Sequence, residues 1–212
     1  MNIKDFTLKL AYKLNGKEHC ETVEYAALAE GFSNGVIALK EDGGEGRVKI
    51  TLTATSAVEL TLAEVIYGHY FETGDAVFVN GYQSWTTSRE YKHGEQQYGL
   101  SAICKLPIAR DYAGSSGDYH FTQYAKDLYH SFTYTYIRNG AKTELIGSLN
   151  ERTGYTIFYA DMRENVFAAV KDIDGLTVLG EYEIFDFMYA MGSYDEVFDR
   201  YFEAYPLKSE AF

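Results

Sequence analysis

The sequence predicts an all-β fold: a large two-sheet antiparallel β-sandwich, supersandwich-like, closed by a C-terminal amphipathic helix. Three observations carry this. Apolar and polar residues alternate with period two along most of the chain, as in strands with one buried side. Turn dipeptides punctuate the alternation at Asn15-Gly16, Asn139-Gly140 and Asp174-Gly175. Asn-Gly and Asp-Gly adopt the positive φ angles of tight hairpins. The composition agrees, with 20 Tyr, 13 Phe and only two Pro in 212 residues. Flat rings pack well on pleated surfaces.

Phe6, Leu8, Leu10, Tyr12 and Leu14 share one face of the first strand, opposite Thr7, Lys9 and Lys13. A partner strand is expected to return over 22–26. Val48, Ile50, Leu52 and Ala54 alternate with polar residues in the next clear strand, and Ala76 to Val79 forms a short apolar one. Phe132, Tyr134 and Tyr136 alternate with Ser131, Thr133 and Thr135, before a return over 143–149. Further strands are expected over 155–160, 166–170, 176–179 and 182–189. Segments 85–97 and 111–117 read as irregular loops. Ser193 and Glu196 are spaced as a capping box. Tyr194, Val197, Phe198, Tyr201 and Phe202 then fall on one helical face, and Pro206 stops the helix. Many strands without alternating helices argue for a sandwich; orthogonal sheets or a jelly-roll-like variant fit the same pattern.

Hydrophobic residues make up 46% of the chain, enough for a packed core, and the length suits one large β domain. A formal charge of -12 disfavours nucleic acid and anionic membranes as partners. No apolar run reaches membrane-spanning length. The start, Met1-Asn2-Ile3-Lys4-Asp5, lacks the apolar core of a signal peptide, so a cytoplasmic location is expected. Cys20 and Cys104 have no CxxC spacing. They read as free, buried thiols, with a single disulfide as the alternative.

No cofactor or metal is expected. The histidines (His19, His69, His93, His120 and His130) are scattered without metal-ligand spacing and read as structural. Asp172-x-Asp174-Gly175 lacks the further ligands of a calcium loop and reads as a hairpin turn. Asp111, Asp118, Glu151 and Asp161 are the candidates for a carboxylate pair, most of them expected to be solvated loop charges. The most unusual string is Asn80-Gly81-Tyr82-Gln83-Ser84-Trp85-Thr86-Thr87-Ser88-Arg89-Glu90, which holds the only Trp. An aromatic face beside amide, hydroxyl and guanidinium groups suits a sugar. The same residues suit a turn whose Trp plugs the core. Tyr82, Gln83, Trp85 and Arg89 are the candidate substrate-binding residues; no catalytic residue is assigned.

Asn80-Gly81-Tyr82-Gln83-Ser84-Trp85 resembles the Asn-Gly-(Trp/Tyr)-Gln-Ser-Trp motif of glycoside hydrolase family 36, the bacterial α-galactosidases. Three later strings resemble clostridial-type members, in the family's order: Gly117-Asp118-Tyr119-His120-Phe121, His130 to Tyr136, and Gly147-Ser148-Leu149-Asn150-Glu151. The resemblance implies an N-terminal β-sandwich followed by a (β/α)₈ barrel that carries both catalytic Asp residues. On that basis 1–192 is the sandwich, and 193–212 the terminal helix and start of a linker to a barrel absent from this chain. The implied role is non-catalytic: assembly with the barrel and sister subunits of an oligomer, and shaping of an active site for terminal α-galactosides such as raffinose or melibiose. In the parent enzyme hydrolysis would be retaining, through a glycosyl-Asp intermediate. A lectin-like carbohydrate-binding sandwich and a purely structural or oligomerisation domain are the alternatives.

Overall fold

The computed structural model describes residues 1–81, 88–97, 125–173 and 175–205. The described strands are β1 (Thr7–Leu14), β2 (Lys17–Glu24), β3 (Phe32–Ser33), β4 (Ile37–Glu41), β5 (Arg47–Gly68), β6 (Ala76–Val79), β7 (Arg89–Lys92), β8 (Leu128–Phe132), β9 (Tyr134–Asn139), β10 (Lys142–Ser148), β11 (Thr156–Asp161), β12 (Val166–Lys171) and β13 (Thr177–Gly192). Helix α1 (Tyr25–Glu30) follows β2, and α2 (Tyr194–Ala204) follows β13. The all-β class holds, and the described pairings are antiparallel.

Hydrogen bonds join the strands into one network rather than two separate sheets, along the path β7-β6-β9-β10-β13-β5-β12-β11-β8. Strand β5 is the hinge of this arrangement. Its first half, through Ala54, lies between β4 and β13. Its second half, from Glu59, lies between β1 and β12. Its 22 residues would span roughly 70 Å, longer than a twisted sheet keeps in register. The strand therefore passes from one arm of the fold to the other. The slip is visible in burial. Val48, Ile50, Leu52, Val58 and Leu60 face the core, whereas beyond the slip Ala63, Val65 and Tyr67 do. The phase changes at Thr61, which has no partner where Ala11 pairs with Leu62 and Tyr12 with Leu60. Such a bulge turns every later side chain to the other face.

The core lies between the two arms. Val77 and Val79 from β6 join Tyr129, Phe158, Phe167, Phe185 and Phe187 in one buried cluster. Phe187 meets Phe158 edge-on at 6.0 Å and Phe185 likewise at 6.0 Å.

Several expectations change in detail. Asn15 (φ 52°) and Gly16 (φ 77°) make the expected hairpin turn. The returning strand, however, spans Lys17–Glu24, because Tyr25 and Ala26 already belong to α1. Ala, Leu and Glu favour a helix there, and Leu28 buries it. Strands expected over 176–179 and 182–189 are one strand, β13, with bulges between Val178 and Gly180 and between Glu183 and Phe185. Arg89–Lys92, expected within an irregular segment, is the edge strand β7. Cys20 is exposed on edge strand β2, not buried; Cys104 lies outside the described residues.

Helix α2 carries the expected capping box. Val197 and Tyr201 bury against Leu145, Leu149, Met188 and Ala190. Tyr201 reaches the Ser148 carbonyl with its hydroxyl (2.9 Å). Gly147 leaves the space for its ring, since a Cβ there would lie 2.4 Å from Tyr201 Cε2. Tyr194 and Phe202, at the margins of the predicted apolar face, remain about half exposed.

Candidate functional site

The strand expected to run through Phe132 and Tyr136 breaks at Thr133, whose φ of 67° is unusual for a β-branched residue. Here the chain leaves β8, paired with β11, and enters β9, paired with β10 and β6. Three stretches distant in sequence meet at this crossing. Asn80 at the end of β6 donates its backbone N–H to Ser131 Oγ (2.7 Å) and its amide to the Phe132 carbonyl (2.9 Å). Phe132 N–H returns a bond to the Asn80 carbonyl (3.0 Å). Thr133 donates to the Thr156 carbonyl (2.9 Å) and accepts from Ser148 N–H (2.7 Å). The strings that begin at Asn80, His130 and Gly147 are thus stitched together.

Tyr82, Gln83 and Trp85 lie outside the described residues. Their flanks do not: Gly81 N–H donates to Ser88 Oγ (3.1 Å), so the segment between them begins and ends at one place. Arg89 follows on β7. Its guanidinium sits 3.9 Å from the Tyr91 ring centroid and pairs with Glu95 (3.1 Å). Its cation is already engaged within the domain.

Asp111, Asp118 and His120 also lie outside the described residues. Asp161 is bound by Arg163 through Nη2 (2.5 Å) and Nε (2.9 Å), which holds its carboxyl below the usual range. His19 stacks on Tyr12, His93 lies 3.5 Å from Asp127, and His69 packs edge-on against Phe71. Gln97 serves buried His130 as a substitute strand, accepting its N–H (2.9 Å) and donating to its carbonyl (3.2 Å). No group of three or more metal-binding side chains occurs among the described residues.

Glu151 departs from the expected solvated loop charge. It lines a cleft of about 470 Å³ with Leu149, Asn150, Arg152, Glu183, Asp186 and Tyr205. Burial raises its pKa above the usual carboxylate value. The other two acids are held by bases and amides. Asp186 takes both arms of the Arg47 guanidinium (2.7 and 2.5 Å), and Glu183 pairs with Lys49 (3.2 Å) and accepts from the Asn150 amide. Lys171, 3% exposed, donates from Nζ to the carbonyl of the cleft residue Asn150 (3.1 Å). Lys171, Glu183 and Asp186 were not among the sequence candidates. A signal for Lys171 existed: in the β12 alternation it falls on the same side as Phe167 and Ala169, the core face.

A second polar cluster anchors the far end of β10. Glu144 accepts from the Met1 ammonium (3.0 Å), Lys142 Nζ (2.6 Å) and the Tyr189 hydroxyl (2.6 Å). Burial alone would raise its pKa, but these donors outweigh burial and bring it down to about 2. A carboxyl depressed in the folded state stabilises it above the unfolded value near 4.5 and loses that contribution as pH falls toward 2. Allowing for partial solvent screening, the contribution is about 2 kcal/mol. Stability from urea unfolding is expected to fall more steeply between pH 4.5 and 2 in the wild type than in Glu144→Gln.

The described residues therefore define an all-β, antiparallel domain in which the strings beginning at Asn80, His130 and Gly147 meet at a strand crossing. No protein-family model and no curated protein sequence matches the chain. Among solved structures, it is similar to TtGalA, an α-galactosidase from Thermus thermophilus, in complex with stachyose. That match has TM-score 0.40 and 16% identity, and covers 92% of this chain and 32% of the other. The same enzyme in complex with p-nitrophenyl α-D-galactopyranoside matches with TM-score 0.41 and 16% identity, over 93% and 31%. The chain spans about a third of the length of those proteins.

Proposed function

We propose that this chain is a non-catalytic β-sandwich domain of an α-galactosidase-type glycoside hydrolase, serving assembly and the shape of a sugar site completed by other polypeptide. The observation that carries the reading is the convergence at Thr133: three strings that resemble family 36 are bonded to one another although far apart in sequence. The proposed partners are a catalytic barrel and sister subunits, with terminal α-galactosides such as melibiose and raffinose as substrates. Trp85, Tyr82 and Gln83 are proposed to face that site, and Arg89 to brace the segment through Tyr91 and Glu95.

A catalytic reading of the Glu151 cleft is less well supported. Glycoside hydrolysis needs one carboxyl to donate a proton while a second attacks or activates water. Asp186 and Glu183 are instead occupied by Arg47, Lys49 and Asn150. The purified chain is expected to release no p-nitrophenol from p-nitrophenyl α-galactoside above the blank. Turnover abolished by Glu151→Gln would overturn the non-catalytic reading. The lectin-like alternative draws on the tethered flanks of the Trp85 segment. Quenching of the single Trp by millimolar melibiose or raffinose would favour it over a purely structural role.

A further inference from the structure

We propose that Lys171 is a proton-operated switch beside the Glu151 cleft: the 149–155 turn closes over its neutral amine and opens to hydrate its ammonium form. The inference is independent of the function proposed above and rests on how this lysine is buried. Its Nζ has two acceptors, both neutral: the Asn150 carbonyl (3.1 Å) and Thr156 Oγ1 (3.4 Å). A neutral amine keeps two hydrogens to donate to the same acceptors, so closure does not require the charge. A buried ammonium that meets only neutral oxygens bears a desolvation cost that these bonds do not offset.

The surrounding charges do not remove that cost. Of the nearby acids Glu151, on the turn, attracts the ammonium most, but burial outweighs it, and its Oε2 already accepts the Thr156 N–H (2.9 Å). From β13, Glu183 and Asp186 also attract it, less than Glu151 does, and are paired with Lys49 and Arg47, both on β5. Asp172 follows directly on β12 and adds a weaker attraction. Tyr182, also on β13, donates to the Thr153 carbonyl and stays protonated, its pKa pushed up to about 12 mainly by burial. Tyr201, from α2, is held neutral in the same way. Burial brings Lys171 down to about 8 despite the nearby carboxylates.

The sign follows from linkage. An amine whose pKa is lower when enclosed than when hydrated binds its proton more weakly in the closed state. Closure therefore strengthens as pH rises from about 8 toward the ordinary lysine value of 10.5, and it levels off at its weakest below about 8, where both states hold the proton. The moving part is bounded. The Arg152 N–H bonds to Asn150 Oδ1 and the Thr156 N–H to Glu151, so both amides report the turn.

Amide hydrogen exchange of the full chain tests this. After correction for intrinsic rates, protection at Arg152 and Thr156 is expected to rise about tenfold from pH 7 to pH 9, while β5 amides stay level. Lys171→Met, which keeps the volume and removes the charge, is expected to abolish the rise. A flat wild-type profile, or the same rise in Lys171→Met, would overturn the proposal. Should Lys171→Met fail to fold, the Cε chemical shift of Lys171 in the wild type decides: a midpoint near 8 supports the switch, and one above 10 overturns it.

Discussion

Replacing Phe187 by alanine is expected to lower the stability of the domain by about 3–5 kcal/mol, enough to remove much of a typical domain's margin. Phe187 is fully buried at the point where the two arms face each other. It touches Phe158 from β11 and Phe185 from its own strand. Truncation removes the apolar surface and leaves a cavity walled by hydrogen-bonded strands, which cannot collapse to fill it. The edge-on ring contacts are lost as well. Phe202→Ala provides the comparison, because that ring is 58% exposed on α2. Its cost is expected to stay within about 0.5 kcal/mol. Urea unfolding of both variants, with equal m-values, checks the pair. Similar losses would mean that the helix face, not the space between the arms, holds the main core.

Much of this architecture is legible in the sequence because strands write their burial with period two. Leu8, Leu10 and Tyr12 announce β1, and Asn15-Gly16 announces its turn. The capping box of α2 is equally readable, since Ser193 and Glu196 act within one turn of helix. The bulge at Thr61 is different. It depends on how β1 and β5 meet, and the local alternation on either side looks like two ordinary strands. The same holds at Thr133, where the alternation of 131–136 continues although the backbone changes partner. A left-handed residue leaves side-chain types unchanged, so no pattern marks it. The Arg47–Asp186 pair joins residues 139 positions apart and is a product of tertiary pairing alone. Lys171 is the instructive intermediate. Its phase in β12 places it inward, but its neutral hydrogen-bond acceptors, the Asn150 carbonyl and Thr156 Oγ1, come from the distant turn and from β11.

That turn also sets the other large effect. Gly154→Ala is expected to destabilise the domain by about 3–4 kcal/mol, through two terms that act together. Gly154 has φ +111°, a conformation L side chains rarely adopt. A Cβ built there would lie 2.0 Å from the Asp172 carbonyl oxygen. Neither side can yield cheaply. Asp172 N–H is bonded to the Tyr155 carbonyl (2.8 Å), which holds the two backbones together where they cross in the closed turn. Moving Gly154 outward would also lift Thr153, whose carbonyl accepts the Tyr182 hydroxyl, and would strip cover from Lys171. The loss should therefore appear in two readouts. Urea unfolding should show the lower midpoint, and amide exchange at Arg152 and Thr156 should accelerate more than exchange in β5. A lowered midpoint with unchanged local exchange would place the strain elsewhere. Unchanged stability would show that the crossing of 154 over 172 is looser than the 2.0 Å approach requires.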